Sequence, residues 1–368
     1  MSQGPLAGVK VVEFGAIGPV PFCAMMLADM GADVVQLARK SAPGDLRFEG
    51  VNRGRQIIEL DLKDPDGKAT AEKLIAQADI LLEGNRPGVA ERLGFGPAQC
   101  QALNEKLVFG RMTGWGQSGP LAHTAGHDIN YIALTGALHA IGPLAHPVPP
   151  LNLVGDYGGG AMYLAFGVVC ALLESRRSGK GQVVDAAMVD GAASLMSVFY
   201  GLLQDKAWRD ERAANLLDGG APWYGTYETA DDRHVAVGAL EEKFWQALLH
   251  GLGILETDLP PRRNRAGWEA IRTTLAAAFK SKTRDEWAAI FELTDACVTP
   301  VLTLAEAPAH EHNVARENFI TLDGTTQPAP APRFSRTPGA AKSSMPASET
   351  EILGRWGCLL GHQAKLPA

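Results

Sequence analysis

The sequence predicts an α/β protein: a large doubly wound parallel-sheet domain over residues 1–205, a smaller α+β domain over 206–317, and a return segment, 318–368, packing on the large domain. Three observations carry this. Short apolar runs bounded by turn residues alternate with helix-period runs from residue 9 to about 203, the pattern of parallel strands joined by crossover helices. The texture changes after Leu217-Asp218-Gly219-Gly220-Ala221-Pro222, where two short runs read as a hairpin rather than a crossover. The length of 368 residues suits two domains at ~150 residues each.

The elements follow in order. Val9 to Phe14 is predicted as a buried strand, followed by the turn Gly15-Ala16-Ile17-Gly18-Pro19 and an apolar helix from Val20 to Met30. Asp33 to Ala38 is the next strand and Gln56 to Leu60 the third. Asp64-Pro65 supplies the cap and first residue of a helix, because an aspartate accepts orphan first-turn N–H groups and proline lacks one. A strand from Asp79 to Leu82, a helix from Pro97 to Asn104 and a strand from Leu107 to Met112 continue the alternation. A long apolar helix is predicted from Ala161 to about Ser175, closed by Arg176-Arg177-Ser178-Gly179-Lys180-Gly181, whose cations suit the negative end of the helix dipole. Gln182 to Met188 is then a strand and Val189 to Leu203 a helix. The hairpin pairs Thr226 to Glu228 with His234 to Val237 around Ala230-Asp231-Asp232, and the stretch from Thr325 to Pro346, rich in proline, serine and alanine, reads as a meandering surface return.

Composition narrows the function classes. An apolar fraction of 46% with 20% charged residues supports a sizeable core. The net charge of −7 argues against a nucleic-acid partner, which would need a clustered basic face. Cys23, Cys100, Cys170, Cys297 and Cys358 form no CxxC pair, so no disulfide framework or zinc ribbon is expected, and a reducing, cytoplasmic setting is. No stretch reaches the ~18 continuous apolar residues of a membrane span, so no membrane partner is expected. Ala364-Lys365-Leu366 approaches a peroxisomal address but is followed by Pro367 and Ala368, and such signals are read at the terminus.

The chemistry concentrates in two glycine-framed segments, Gly126-His127-Asp128-Ile129-Asn130-Tyr131 and Val154-Gly155-Asp156-Tyr157-Gly158-Gly159-Gly160. They place an imidazole and a carboxylate on separate turns, as a two-base proton transfer requires. The plainer readings are a structural histidine ahead of an apolar helix and an aspartate N-cap on the long helix. For Asp156 the two roles are compatible, because backbone amides near a helix N-terminus also suit an oxyanion. Gly15 and Gly18 give GxxG rather than GxGxxG, which weakens a nicotinamide or flavin reading and favours tight packing of the first turn. Arg39-Lys40 and the loop Asn85-Arg86-Pro87-Gly88-Val89 with Arg92 fall at the carboxyl ends of predicted strands, where open sheets bind ligands. They fit an anionic, phosphate-bearing ligand, or else are solvated surface groups. Met112, Met188 and Met196 read as core, with an adaptable acyl-chain surface as the second possibility.

One resemblance joins these pieces. Gly31-Ala32-Asp33-Val34-Val35, Leu60-Asp61-Leu62-Lys63, Asn85-Arg86-Pro87-Gly88, Gly114-Trp115-Gly116-Gln117-Ser118-Gly119-Pro120, Gly126-His127-Asp128, Gly155-Asp156 and Gly179-Lys180-Gly181-Gln182 resemble, in order, the family III CoA-transferase superfamily. Within it the chain looks most like the α-methylacyl-CoA racemases. Transferases of the superfamily usually lack a histidine at the position of His127 and use the aspartate matching Asp156 as nucleophile. Val237-Gly238-Ala239-Leu240-Glu241 is similar to the racemase segment whose glutamate assists the site.

The resemblance implies an interlocked homodimer whose site lies between the large domain of one subunit and the small domain of its partner, with Glu241 supplied across the interface. It implies an acyl-CoA substrate held by Arg39, Asn85, Arg86, Gly88, Val89 and Arg92, with no metal and no cofactor beyond the CoA of the substrate. His127 and Asp156 would exchange acid and base roles on a 2-methylacyl-CoA through an enolate met by amides near Asp156, and Glu241 would set the histidine tautomer. Two alternatives stand beside this: CoA transfer with Asp156 as the acyl-anhydride nucleophile, and an acyl-CoA-binding protein without chemistry. A dehydrogenase rests on fold analogy alone.

Overall fold

The structure, a computed structural model, describes residues 4–39 and 49–358. Lys40 and the segment Ala364-Lys365-Leu366 lie outside them. The chain divides into two units, residues 1–135, 151–196 and 315–368, and residues 136–150 and 197–314.

Among the described residues the main sheet of the larger unit has seven strands: β1 (Lys10–Phe14), β2 (Asp33–Ala38), β3 (Arg55–Glu59), β4 (Ile80–Glu83), β5 (Val108–Thr113), β6 (Val183–Ala187) and, from the carboxyl-terminal segment, Met345–Pro346. They form one sheet in which Met345–Pro346 lies outside β3 and the order continues β2, β1, β4, β5, β6, with every pairing parallel. Successive strand residues point to opposite faces, so each strand feeds two cores. Val11, Val34, Ile80 and Val108 pack under the helices Pro19–Asp29 and Met162–Ser178. Val12, Val35, Leu81 and Phe109 pack on the other side, under the helices Pro65–Ile75, Pro97–Leu103 and Glu349–Arg355. Burial of each such side chain is worth about 1.5–3 kcal/mol, and with both faces covered the sheet is doubly wound, as the alternation predicts. Asp64 caps its helix by accepting from the N–H groups of Asp66 and Gly67 at 3.2 and 3.1 Å.

Three parts of the larger unit differ from the sequence reading. The long helix starts earlier: a π-helical segment, Leu153–Ala161, leads directly into Met162–Ser178. Close packing of glycine on glycine permits it. A Cβ on Gly191 would fall 1.8 Å from the Gly159 carbonyl oxygen, so only glycine allows the helix Met188–Leu195 so near. Asp156 is therefore inside the helical run, and Asn152 stands at its N-cap. The combined run Leu153–Ser178, 26 residues long, contains an 18-residue window of mean hydropathy 1.4 and is by length and composition apolar enough to cross a membrane. Its glycines and polar residues interrupt a continuous apolar count, and half of that window is buried. The stretch from Thr325 to Pro346 is not featureless either: Thr325–Pro328 pairs antiparallel with Phe319–Leu322, and Met345–Pro346 completes the sheet edge.

The smaller unit has three antiparallel strands, Tyr224–Glu228, His234–Gly238 and Val298–Pro300. The helices Glu242–Leu252, Trp268–Phe279 and Arg284–Phe291 surround a core of Trp223, Trp245, Phe279, Trp287 and Phe291. Residues 136–150 belong here because the Arg212 guanidinium donates to the carbonyls of His139, Pro143 and Leu144. The sequence reading puts the boundaries at 206 and 318; the structure divides at 197 and 315 and adds this detached segment.

Candidate active site

The strand order 3-2-1-4-5-6 reverses direction between β1 and β4, and the crevice beyond the carboxyl ends of such a switch point is where open α/β sheets bind ligands. The turn after β1 carries Gly18, at φ 76°, as N-cap of the helix Pro19–Asp29. A Cβ there would sit 3.5 Å from Oδ2 of Asp156, so this turn faces the π-helical segment.

Asp156 is half-buried, and its Oδ2 accepts from the Asn152 amide at 3.2 Å. Burial pushes its carboxyl above the usual range, against the Asn152 hydrogen bond; the charge of Asp128 adds to the rise and the His127 imidazole opposes it. His127 is exposed at the N-cap of the helix Asp128–Ala133, with its own N–H bonded to Oδ1 of Asn130 at 3.0 Å. Behind it Tyr131 donates to the Gly126 carbonyl and meets Trp115 edge-on at 4.8 Å between ring centroids. A Cβ on Gly114 or Gly126 would enter the Tyr131 ring, which explains why glycines frame this histidine.

Asp128 joins the two segments. Its Oδ1 accepts the Asp156 N–H at 2.6 Å, and the Gly155 N–H also donates to it. The structure therefore brings His127 and Asp156 together, and of the amides near Asp156 expected to meet an enolate, those of Gly155 and Asp156 donate to Asp128. Asp128 appears in the sequence motif beside His127, but an aspartate at the first helical position reads as an ordinary helix-end residue, so its bridging role could not be read there.

Of the predicted CoA-binding residues, Arg39 and Asn85 line one cleft at the ends of β1 to β4, together with Gly15, Asp61, Lys63 and Leu93. Asp61 and Lys63 are not among the predicted ligands, although they stand in the quoted Leu60-Asp61-Leu62-Lys63. Arg86 is exposed on the neighbouring loop, and Arg92 is exposed at the end of the short helix Val89–Arg92, which Gly88, at φ 82°, caps. The loop is anchored by Glu83, buried at the end of β4, which accepts from the Asn85 N–H at 2.8 Å and from Nε of Arg111 at 3.0 Å. Arg111 also donates to Glu91 at 3.0 Å. Burial raises the Glu83 carboxyl, opposed by the Asn85 and Arg111 hydrogen bonds.

Glu241 belongs to the smaller unit, exposed at the N-cap of the helix Glu242–Leu252. Burial, followed by the charge of Glu241, raises the nearby Cys297 thiol. Met112 and Met188 are core residues of the larger unit. Among the described residues no group of three or more His, Cys, Asp or Glu side chains could hold a metal ion.

Fold, crevice and motifs agree with one family: the chain matches CoA-transferase family III over residues 6–351 and belongs to it. A solved CAIB/BAIF family protein from Brucella suis has the same fold, with a TM-score of 0.81 at 24% identity over 97% of this chain and 100% of that one. More specific are two enzymes named alpha-methylacyl-CoA racemase. The chain is 45% identical to that of Mus musculus over 96% of its own length and 93% of the relative, and 45% identical to that of Homo sapiens over 90% and 87%.

Proposed function

We propose that this chain interconverts (R)- and (S)-2-methylacyl-CoA thioesters by two-base 1,1-proton transfer. It is an enzyme of the racemase kind, with an acyl-CoA as substrate. The observation that carries the mechanism is the pairing of His127 with an Asp156 whose carboxyl is pushed toward its protonated form by burial. Neutral His127 takes the α proton, and the C–H electron pair moves into the thioester as an enolate. Protonated Asp156 then delivers its proton to the opposite face, leaving imidazolium and carboxylate; the reverse direction exchanges the roles. Because the Gly155 and Asp156 amides are committed to Asp128, the enolate is met by other donors.

In this reading the cleft of Arg39, Asp61, Lys63 and Asn85 receives CoA, while Arg86 on the adjoining loop and Arg92 at the end of the short helix meet its phosphates. No cofactor beyond the CoA of the substrate takes part. The chain acts as an interlocked homodimer in which Glu241 reaches His127 of the other subunit. Support for self-association comes from the helix Met162–Ser178, which leaves Met162, Phe166, Val169 and Leu173 exposed, Phe166 at 72% and Leu173 at 73%; apolar rows of this kind are covered by partners. The setting is cytosolic, in keeping with five free cysteines.

The imidazole of His127 beside Asp156, a second acid–base group that transfer through a single carboxylate does not need, favours this reading over CoA transfer. Incubation with one epimer of a 2-methylacyl-CoA in heavy water, with no acceptor acid, is expected to give α-deuteration and the other epimer. Absence of both, or a hydroxylamine-trapped acyl-enzyme that forms only with an acceptor acid, overturns it.

A further inference from the structure

We infer that Asp128 is a positioning residue of this reaction, its buried carboxylate tying the helix that carries His127 to the turn that carries Asp156 and holding the two acid–base groups at a fixed spacing. The inference rests on the racemase reading and deepens it.

Three observations converge on the side chain. Asp128 is 8% exposed, yet among the described residues no cation is paired with it; what it accepts are the backbone N–H groups of Asp156, at 2.6 Å, and Gly155. Those are the two residues that aim the Asp156 carboxyl. Its second oxygen, Oδ2, is buried with no partner among the described residues, an arrangement that stability alone disfavours. The neighbouring chain makes room for it: a Cβ on Gly155 would lie 2.4 Å from Asp128 Oδ1, so glycine is required where the carboxylate docks. Asp128 directly follows His127, and any shift of the carboxylate moves the histidine and the Asp156 turn relative to each other.

Charge gives the link a second consequence. The titratable groups acting on Asp156 are Asp128 and His127, from the helix Asp128–Ala133 and its cap. Tyr131 of that helix feels Asp156, Asp128 and the Arg86 guanidinium, and its hydroxyl is held by the Gly126 carbonyl. The helix Pro19–Asp29 faces the segment through Gly18 and through Phe22, stacked on Tyr157; on the helix Met188–Leu195 it is Gly191 that meets the segment, and its acidic Asp190 is exposed. Asp128 is thus the anion that raises Asp156, second to burial among the raising influences.

The test uses the full chain carrying Asp128→Ala or Asp128→Asn. Deuterium exchange from a 2-methylacyl-CoA gives kcat and KM in each direction, and carbon-13 NMR of labelled aspartate follows the Asp156 titration. Asp128→Ala is expected to lose about 100-fold in kcat, the cost of a misplacement near 1 Å, with KM for the acyl-CoA changed by less than about twofold because uniform binding is untouched. Asp128→Asn keeps the accepting oxygen, recovers most of kcat and moves the Asp156 titration to lower pH. A kcat for Asp128→Ala within about threefold of wild type, a KM that rises in step with the loss, or an unmoved Asp156 titration in Asp128→Asn overturns the inference. Should Asp128→Ala fail to fold, the Asp128→Asn titration decides alone. Wild-type protein that exchanges no deuterium overturns the racemase reading instead, and the titration still judges Asp128 separately.

Discussion

Two loops of the larger unit are held by the same device under opposite electrostatics. At the end of β4, Glu83 accepts the Asn85 N–H and is paired with the Arg111 guanidinium. At the other site Asp128 accepts the Gly155 and Asp156 N–H groups with no cation paired to it among the described residues, and its charge reaches Asp156. A paired carboxylate fixes a loop while sharing its charge with its cation. An unpaired one fixes a loop and also adds to the proton affinity of what the loop carries. The first arrangement suits a loop that binds, the second a loop that exchanges protons.

Replacing either proton-transfer group, as in His127→Ala or Asp156→Asn, should reduce α-deuteration by about 10²–10⁴-fold while acyl-CoA binding by calorimetry persists. Full exchange in either variant would remove these residues from the chemistry. Glu83→Ala leaves Arg111 partly unpaired in the interior and should cost about 3–5 kcal/mol in urea unfolding, with weaker acyl-CoA binding rather than slower exchange at saturation. A loss confined to kcat would erase the distinction between the two loops. Gly155→Ala crowds Asp128 and should cost about 1–3 kcal/mol, accompanied by a fall in kcat. Asp64→Ala supplies a control: this carboxylate also collects two N–H groups but is exposed, so it should cost about 1 kcal/mol and leave exchange unchanged.

The smallest effect is a slope. Burial raises the folded-state proton affinity of Asp128 above its unfolded value. A carboxyl raised in this way contributes stability that is complete below the ordinary aspartate value of 3.8 and is lost as pH climbs through the raised value. Asp128→Asn abolishes that loss, so its unfolding free energy should gain on wild type as pH rises across that window and match it below. A gap that closes with rising pH would contradict the unpaired state of this carboxylate.

Much of this is legible in the amino-acid sequence. Strand and helix order down to β6 follows from periodicity, because each element must bury one face or both, and the imidazole and carboxylate stand out as polar groups framed by glycine. What is not legible has a physical reason. The π-helical start of the long helix depends on Gly159 meeting Gly191, a contact between residues far apart in the chain that no local pattern encodes. The role of Asp128 is hidden because it lies in accepting amides from a segment 28 residues away. Glu83, by contrast, leaves a visible trace, a charged residue ending the apolar run of β4. Residues 136–150 join the smaller unit through Arg212, a guanidinium that in sequence looks like any solvated arginine.

The pairing of Met345–Pro346 with β3 has a consequence for synthesis on the ribosome. Strand β3 is complete by residue 59, while its outer neighbour arrives only at residue 345. In that interval the whole smaller unit is translated and the β3 edge presents unpaired N–H and C=O groups, the feature that nascent chains and neighbouring polysomes exploit for mispairing. The return segment therefore acts late, as the closure that retires a sticky edge. Its loss should show first as poor soluble yield from cells rather than as slow turnover.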